Sequence, residues 1–367
     1  MFPNNTKEEK LSADTCPVCN MDVETTKFYS QYNGKTFFFC SDGCLQKFIS
    51  NPGNFFGNHN FDLIIIGGGP AGLTAAVYAS ISKIDTFFIA KDIGGQAIDS
   101  TKIKNYMGFD FISGKMLVDK FKEQFLENHY LAHKLLDVIR IEKQNNSFKI
   151  ITKSNETFLS KAVIIATGMK KRKLGIEGEE RLQRKGIFYK LVQDISLLDG
   201  KDIVVIGGGN SSIQTANELL NNHCKVTIVT RGKMIADKTD VDRIKQRRNI
   251  RIIEEHDVVE IWGKERVEGV SVRPEQDINR PPENIPCDGV FIQVGFLPNT
   301  EFCRELVDLN EKGEIVINND CSTGTEGVFA CGDVTNNYGK RIVIAAGEGA
   351  KAALRTRQYL KEKKIKA

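Results

Sequence analysis

Cys16, Cys19, Cys40 and Cys44 follow a C-x2-C-x20-C-x3-C pattern. Thiolate sulfur is a soft donor, and two close pairs brought together offer the tetrahedral set that Zn²⁺ and related soft cations take. Two uses of such a site are open. It can serve only to hold about forty residues together, because a core that small is marginal without a staple. Alternatively it binds a soft metal such as Cu(I), Hg(II) or iron and presents that metal, or its own thiols, to a redox partner.

A second kind of chemistry is written in glycine. Gly67, Gly69 and Gly72 follow the apolar run LIII and open the run PAGLTAAVYAS. The first glycine permits a tight turn, the second lets a pyrophosphate approach the backbone, and the third lets helix pack on strand. The pyrophosphate then sits at a helix N-terminus, where free N–H groups and the dipole favour negative charge. The pattern returns 140 residues later with Gly207, Gly209 and Ser212, a small Ser replacing the third glycine. Two such turns, each between a strand and a helix, read as two nucleotide sites.

The end of each module's second strand bears on which nucleotide is held: an acid binds ribose hydroxyls, and an Arg can take a 2′-phosphate. The first module offers Asp92. The second offers Thr230-Arg231-Gly232-Lys233, with no acid. Arg231 and Lys233 lean towards NADP, or they are simply exposed loop residues.

The other cysteines, Cys224, Cys287, Cys303, Cys321 and Cys331, form no CxxC. Cys331 reads as a small buried hydrophobe. His129 and His133 stand four apart in what reads as a helix, and a solvated face is the expected outcome.

Several elements must position these residues. Up to about Phe56 the chain is short-segmented and cysteine-rich, and NPGNFFGNHN reads as a linker. An α/β pattern follows, with strands expected at LIII, TFFIA, FKIIT, AVIIATG, DIVVI and KVTIVT. Further strands are expected at EIVIN and GVFACGD, and a last helix from about Ile344. The front reads as a metal module over residues 1–57, ahead of the two glycine-turn modules.

A net charge of +4 from 51 basic and 47 acidic side chains gives no argument for nucleic acid or an anionic membrane. With no apolar run of bilayer length and no signal-peptide core, the expected setting is the cytosol, where thiols stay reduced.

Residues 61 to about 362 resemble the low-molecular-weight thioredoxin reductase family, and within it the flavoprotein component of alkyl hydroperoxide reductases. The motifs are IIIGGGPAGLTAA, GGQAIDSTKIKNYMGF, AVIIATG, VIGGGNSS, FIQVGFLPNT, GVFACGDV and KRIVIAAGEGAKAAL, in the family's order. The resemblance implies two Rossmann-like domains, an FAD domain in two segments (58–168 and 288–367) and a nicotinamide-nucleotide domain between them (169–287), with FAD as cofactor, NAD(P)H as hydride donor and a homodimer. It implies that Gly67, Gly69, Gly72, Asp92, Gly95, Gln96, Asn105, Thr167, Gly168, Gly332, Asp333, Arg341 and Ile342 line FAD. It places the nicotinamide nucleotide on Gly207, Gly209, Asn210, Ser212 and Arg231. Residues 14 to 56 resemble the YHS domain, matched by Tyr32, Gly34, Lys35, Phe39, Cys40, Ser41 and Cys44.

The departures carry the functional expectation. The family's redox dithiol falls here on Lys190 and Gln193, while its acidic neighbour, Asp194, is retained. An amine and an amide cannot cycle two electrons as a dithiol does. The resemblance therefore implies an NAD(P)H-dependent flavoprotein whose electrons leave by another route, to a protein or metal acceptor. Ferredoxin–NADP reductases of thioredoxin-reductase type work without such a dithiol. Two alternatives stay open: a disulfide reductase using the front cysteines, and a metal- or redox-sensing flavoprotein. The TRG run also departs from the His and two Arg of the family's NADPH enzymes.

Overall fold

Two apolar strands, each running into a glycine turn, seed two parallel sheets. The computed structural model describes residues 16–19, 21–23, 27–32, 35–50, 52–55, 60–100, 103–126, 131–189 and 195–366. The chain divides into a first unit, Met1–Met169 with Pro298–Ala367, and a second, Lys170–Leu297. The cysteine-rich front therefore falls within the first unit, and the second runs past Cys287.

In the first unit five parallel strands lie in the order Val328–Ala330, Val163–Ile165, Leu63–Ile66, Thr86–Ala90, Leu131–Leu135. Side chains alternate across the sheet. Ile64, Ile66, Phe87 and Ile89 enter one core, Leu63, Ile65 and Phe88 the other. The second core is closed by the helices Pro70–Ile81 and Ile342–Lys366. The first is closed by a four-stranded sheet, Asn60–Phe61, Thr157–Ser160, Ser147–Thr152 and Val138–Gln144, and by the front module. The strand after the central one lies to one side and Val163–Ile165 to the other, which opens a crevice beyond the strands' carboxyl ends.

The front module is a hairpin, Tyr29–Tyr32 with Lys35–Phe38, followed by the helix Asp42–Ser50. Its centre is Phe48, whose ring lies 4.9 Å from Phe39 and 5.9 Å from Phe55. Phe55 belongs to the stretch read as a linker, yet it is buried, and Pro52–Phe55 forms a 3-10 turn. The module is fastened to the edge strand of the parallel sheet, where Leu135 N donates to Cys19 O at 3.1 Å.

The second unit repeats the plan. Its parallel order is Ile187–Phe188, Gly289–Ile292, Asp202–Ile206, Lys225–Val229, Ile250–Ile253. An antiparallel sheet of His256–Trp262, Gly269–Pro274 and Glu283–Pro286 accompanies it.

Two local expectations fail. His133 sits on the edge strand Leu131–Leu135, fully buried, because its neighbours pair with Thr86–Ala90; His129 lies outside the described residues. EIVIN forms only isolated bridges at Ile315. There Asn310 Oδ1 accepts from Glu314 N and Asn336 Oδ1 from Ile317 N, so side-chain amides take the place of a ladder. Among the described residues no helix is long and apolar enough to cross a membrane.

Candidate functional site

At the first turn Gly67 has φ +122°, and a Cβ there would lie 2.2 Å from Ala166 O. Gly72 faces the strand so closely that a Cβ would lie 1.9 Å from Gly67 O, whereas nothing lies within 4 Å of one at Gly69. That open side is the approach a pyrophosphate needs, directly at the N-terminus of Pro70–Ile81. Gly95 closes on the same point, since a Cβ on it would meet Gly69 Cα at 3.1 Å. Asp92 caps this turn, its Oδ1 accepting from Gly95 N at 3.2 Å. Gln96 Nε2 donates to Met169 O.

The returning segment reaches the same crevice. Gly332 packs against Ala71, and Gly349 packs so tightly on Ala71 O that a Cβ there would lie 2.0 Å away. Glu348 is buried between them; its Oε2 accepts from Gly332 N at 2.7 Å, while Oε1 has no partner. Burial pushes the Glu348 and Asp333 carboxyls above their ordinary range. Thr167 and Asn299 exchange two hydrogen bonds at 2.8 and 2.9 Å, and Asn299 N donates to Gly168 O at 3.0 Å. Asn105 is exposed on a loop closed by the Ile103–Ile112 bridge, and Ile342 packs on the small core beneath that loop. Arg341, exposed, precedes Ile342 and donates to Lys340 O.

At the second turn Gly207 has φ +130°, and a Cβ there would strike Gln293 O at 2.3 Å; Gly209 is open. Ser212 is fully buried and its hydroxyl lacks a partner. Asn210 and Asp237 exchange two hydrogen bonds, at 3.1 and 2.8 Å, which fix the helix start. A cleft of about 1190 Å³ opens over this turn, lined by Gly207, Gly209, Asn210, Arg231, Lys233 and Asp257 among others.

The four front cysteines converge. Their sulfurs lie within 4.8 Å of one another, Cys19 to Cys40 at 3.4 Å and Cys40 to Cys44 at 3.7 Å. Tetrahedral Zn–S bonds of about 2.3 Å place sulfurs about 3.8 Å apart, so the set fits a soft cation. All four thiols are free. Cys16, Cys19 and Cys44 are buried, and Ser41 Oγ accepts from Cys44 N at 3.3 Å at the helix start. The hydrogen bond between Cys16 and Cys19 pulls the Cys16 thiol below its ordinary value and pushes the Cys19 thiol above it.

Two polar groups stand beside this cluster: Lys47, which the sequence does not single out, and His133, which reads there as a solvated helix position. Lys47 is 3% exposed, with Nζ 5.8 Å from the Phe125 ring; burial lowers its pKa and the thiols oppose this. The His133 ring stands edge-on to Phe125 at 5.1 Å, with neither nitrogen partnered. Lys190, Gln193 and Asp194 lie outside the described residues.

A chain with two dinucleotide turns on two parallel sheets is a two-nucleotide oxidoreductase in plan. Residues 61–349 match the pyridine nucleotide-disulphide oxidoreductase family, and residues 15–59 match the YHS domain. The chain is 34% identical over 324 residues to the alkyl hydroperoxide reductase F protein of Staphylococcus aureus, covering 86% of this chain and 63% of that protein. It thus spans less than two thirds of that relative's length. It is similar to the solved thioredoxin reductase of Lactococcus lactis (TM-score 0.72, 33% identity, 83% of this chain and 100% of that one). The thioredoxin reductase of T. acidophilum gives a TM-score of 0.68 at 35% identity, covering 82% and 98%. The chain belongs to the pyridine nucleotide-disulphide oxidoreductase family and carries a YHS domain ahead of the family's match.

Proposed function

We propose that this chain draws electrons from NAD(P)H and delivers them to an acceptor other than a dithiol of its own. The carrying observation is the state of its sulfur. By the resemblance, Lys190 and Gln193 stand where the family's dithiol falls. The five cysteines outside the front cluster are all buried. Burial pushes Cys287 and Cys303 up to about 12 and Cys321 to about 11, and it raises Cys224 and Cys331 as well. Thiol–disulfide exchange needs an accessible thiolate, and these groups are neither.

Bound FAD supplies the hydride-accepting centre that holds two electrons until an acceptor takes them. The chain's own part is placement. In this proposal Gly67, Gly69 and Gly72 present backbone N–H groups to the pyrophosphate. Gly95, Gln96, Asn105, Thr167, Gly168, Gly332, Asp333, Arg341 and Ile342 border the rest of the cofactor, with Asp92 at the adenosine end. Gly207, Gly209, Asn210 and Ser212 do the same for the nicotinamide nucleotide. Cys16, Cys19, Cys40 and Cys44 hold a soft metal ion as a staple, a role supported by the burial of three ligands in a core shared with the parallel sheet.

Anaerobic titration of the purified flavoprotein tests this. Complete bleaching at one equivalent of NAD(P)H per FAD is expected. Uptake of two equivalents reveals either a coupled disulfide, which overturns the proposal, or a redox-active metal, which overturns the staple role of the four cysteines.

A further inference from the structure

In a dinucleotide fold, the turn after the second strand of the sheet meets the adenosine ribose. Here that turn follows Lys225–Val229, and its own side chains offer only the cations Arg231 and Lys233. The tertiary structure brings acids to it from elsewhere. Thr230 N donates to Ile253 O at 3.0 Å, His256 N to Thr230 O at 3.1 Å and Glu255 N to Gly232 O at 3.2 Å. The segment from Ile253 to Asp257 therefore runs along the turn. Glu275 N donates in turn to Glu255 O at 2.9 Å, which brings in a third segment.

As a result Arg231 Nε stands 3.2 Å from Asp257 Oδ1 and 3.1 Å from Glu275 Oε1. Glu254 Oε1, a third carboxylate at the turn, accepts from Met234 N at 2.7 Å. Arg231, Lys233 and Asp257 line the same cleft as Gly207 and Gly209.

We propose that this chain takes NADH in preference to NADPH, with Asp257 and Glu275 as the specificity-determining carboxylates; this rests on the second unit binding a nicotinamide dinucleotide. A phosphate monoester carries close to two negative charges at neutral pH. A 2′-phosphate would meet two carboxylates already engaged with Arg231, and it would have to draw Arg231 off both. A ribose 2′-hydroxyl instead donates to a carboxylate oxygen while Arg231 stays where it is. Exposed ion pairs are individually weak. The discrimination therefore comes from repulsion of the phosphate more than from the strength of the pairs.

Isothermal titration of the full-length flavoprotein with NAD⁺ and NADP⁺ tests the preference without needing turnover. NAD⁺ should bind at least tenfold more tightly. The double variant Asp257→Asn/Glu275→Gln, checked for an unchanged flavin spectrum and melting curve, should shift the ratio at least tenfold towards NADP⁺. NADP⁺ binding as tightly as NAD⁺ to the natural protein overturns the proposal, as does a ratio the double variant leaves unchanged. If the variant does not fold, the natural protein's ratio decides alone. Tight NAD⁺ binding with no reduction of the flavin by NADH would sink the function proposed above and leave this preference standing.

Discussion

Phe48→Ala is the sharpest probe of how the front module is built in. Phe48 is fully buried and touches Phe37, Phe39, Phe55 and Tyr32, with ring centroids between 4.9 and 6.0 Å away. It belongs to one continuous core with Ile64, Phe87 and Val163 of the parallel sheet. Truncating a buried Phe costs about 3–5 kcal/mol. At about 2–4 °C per kcal/mol for a unit of this size, the loss corresponds to roughly 10 °C. The assay is a thermal melt followed by the rise in flavin fluorescence as FAD is released. If the module shares its core with the sheet, flavin release moves down by that amount. If the four cysteines hold a metal, a chelator should lower the same transition, because Cys16, Cys19 and Cys44 belong to that core. A flavin transition unmoved by Phe48→Ala, with only a separate low-temperature step altered, would refute the shared core.

Two of the three glycines of the first turn should fail differently. Gly72→Ala forces a Cβ to 1.9 Å from a backbone oxygen and should destabilise the apoprotein itself, whereas Gly69→Ala meets nothing and should melt normally yet bind FAD at least tenfold more weakly; equal losses of FAD and of stability in both would contradict this. Burial sets the His133 pKa at about 3 against an ordinary 6.5. Below pH 6.5 the unfolded chain takes up a proton that the folded chain refuses, so this contribution is lost as the pH falls towards 3. From pH 7 to pH 5 it amounts to about 2 kcal/mol. Urea midpoints for His133→Leu should therefore fall less steeply with acid than those of the natural protein, and parallel curves would remove the argument.

Much of this molecule is legible in the order of its residues, for a local reason. A strand that turns at φ +122° or +130° needs glycine, so Gly67 and Gly207 announce themselves wherever they fall. The unbroken apolar run LIII announces a strand covered on both faces. The cysteine spacing likewise announced a cluster that the fold then closed. The resemblance sets Lys190 and Gln193 where the family's dithiol falls, a reading that needs no coordinates and that directs the search for an acceptor.

Tertiary structure decided what depends on segments far apart in the chain. The sequence at the end of Lys225–Val229 shows two cations, which lean towards a phosphate or are simply exposed loop residues. Only the alignment of residues 253–257 and 275 beside that turn neutralises Arg231 and reverses the argument. His133 reads as a solvated helix position and becomes a buried, unpartnered ring, because register in the sheet, not local propensity, chose its environment. Types and spacings specify backbone conformations and ligand sets. Charge balance and burial are sums over neighbours, and the fold alone chooses the neighbours.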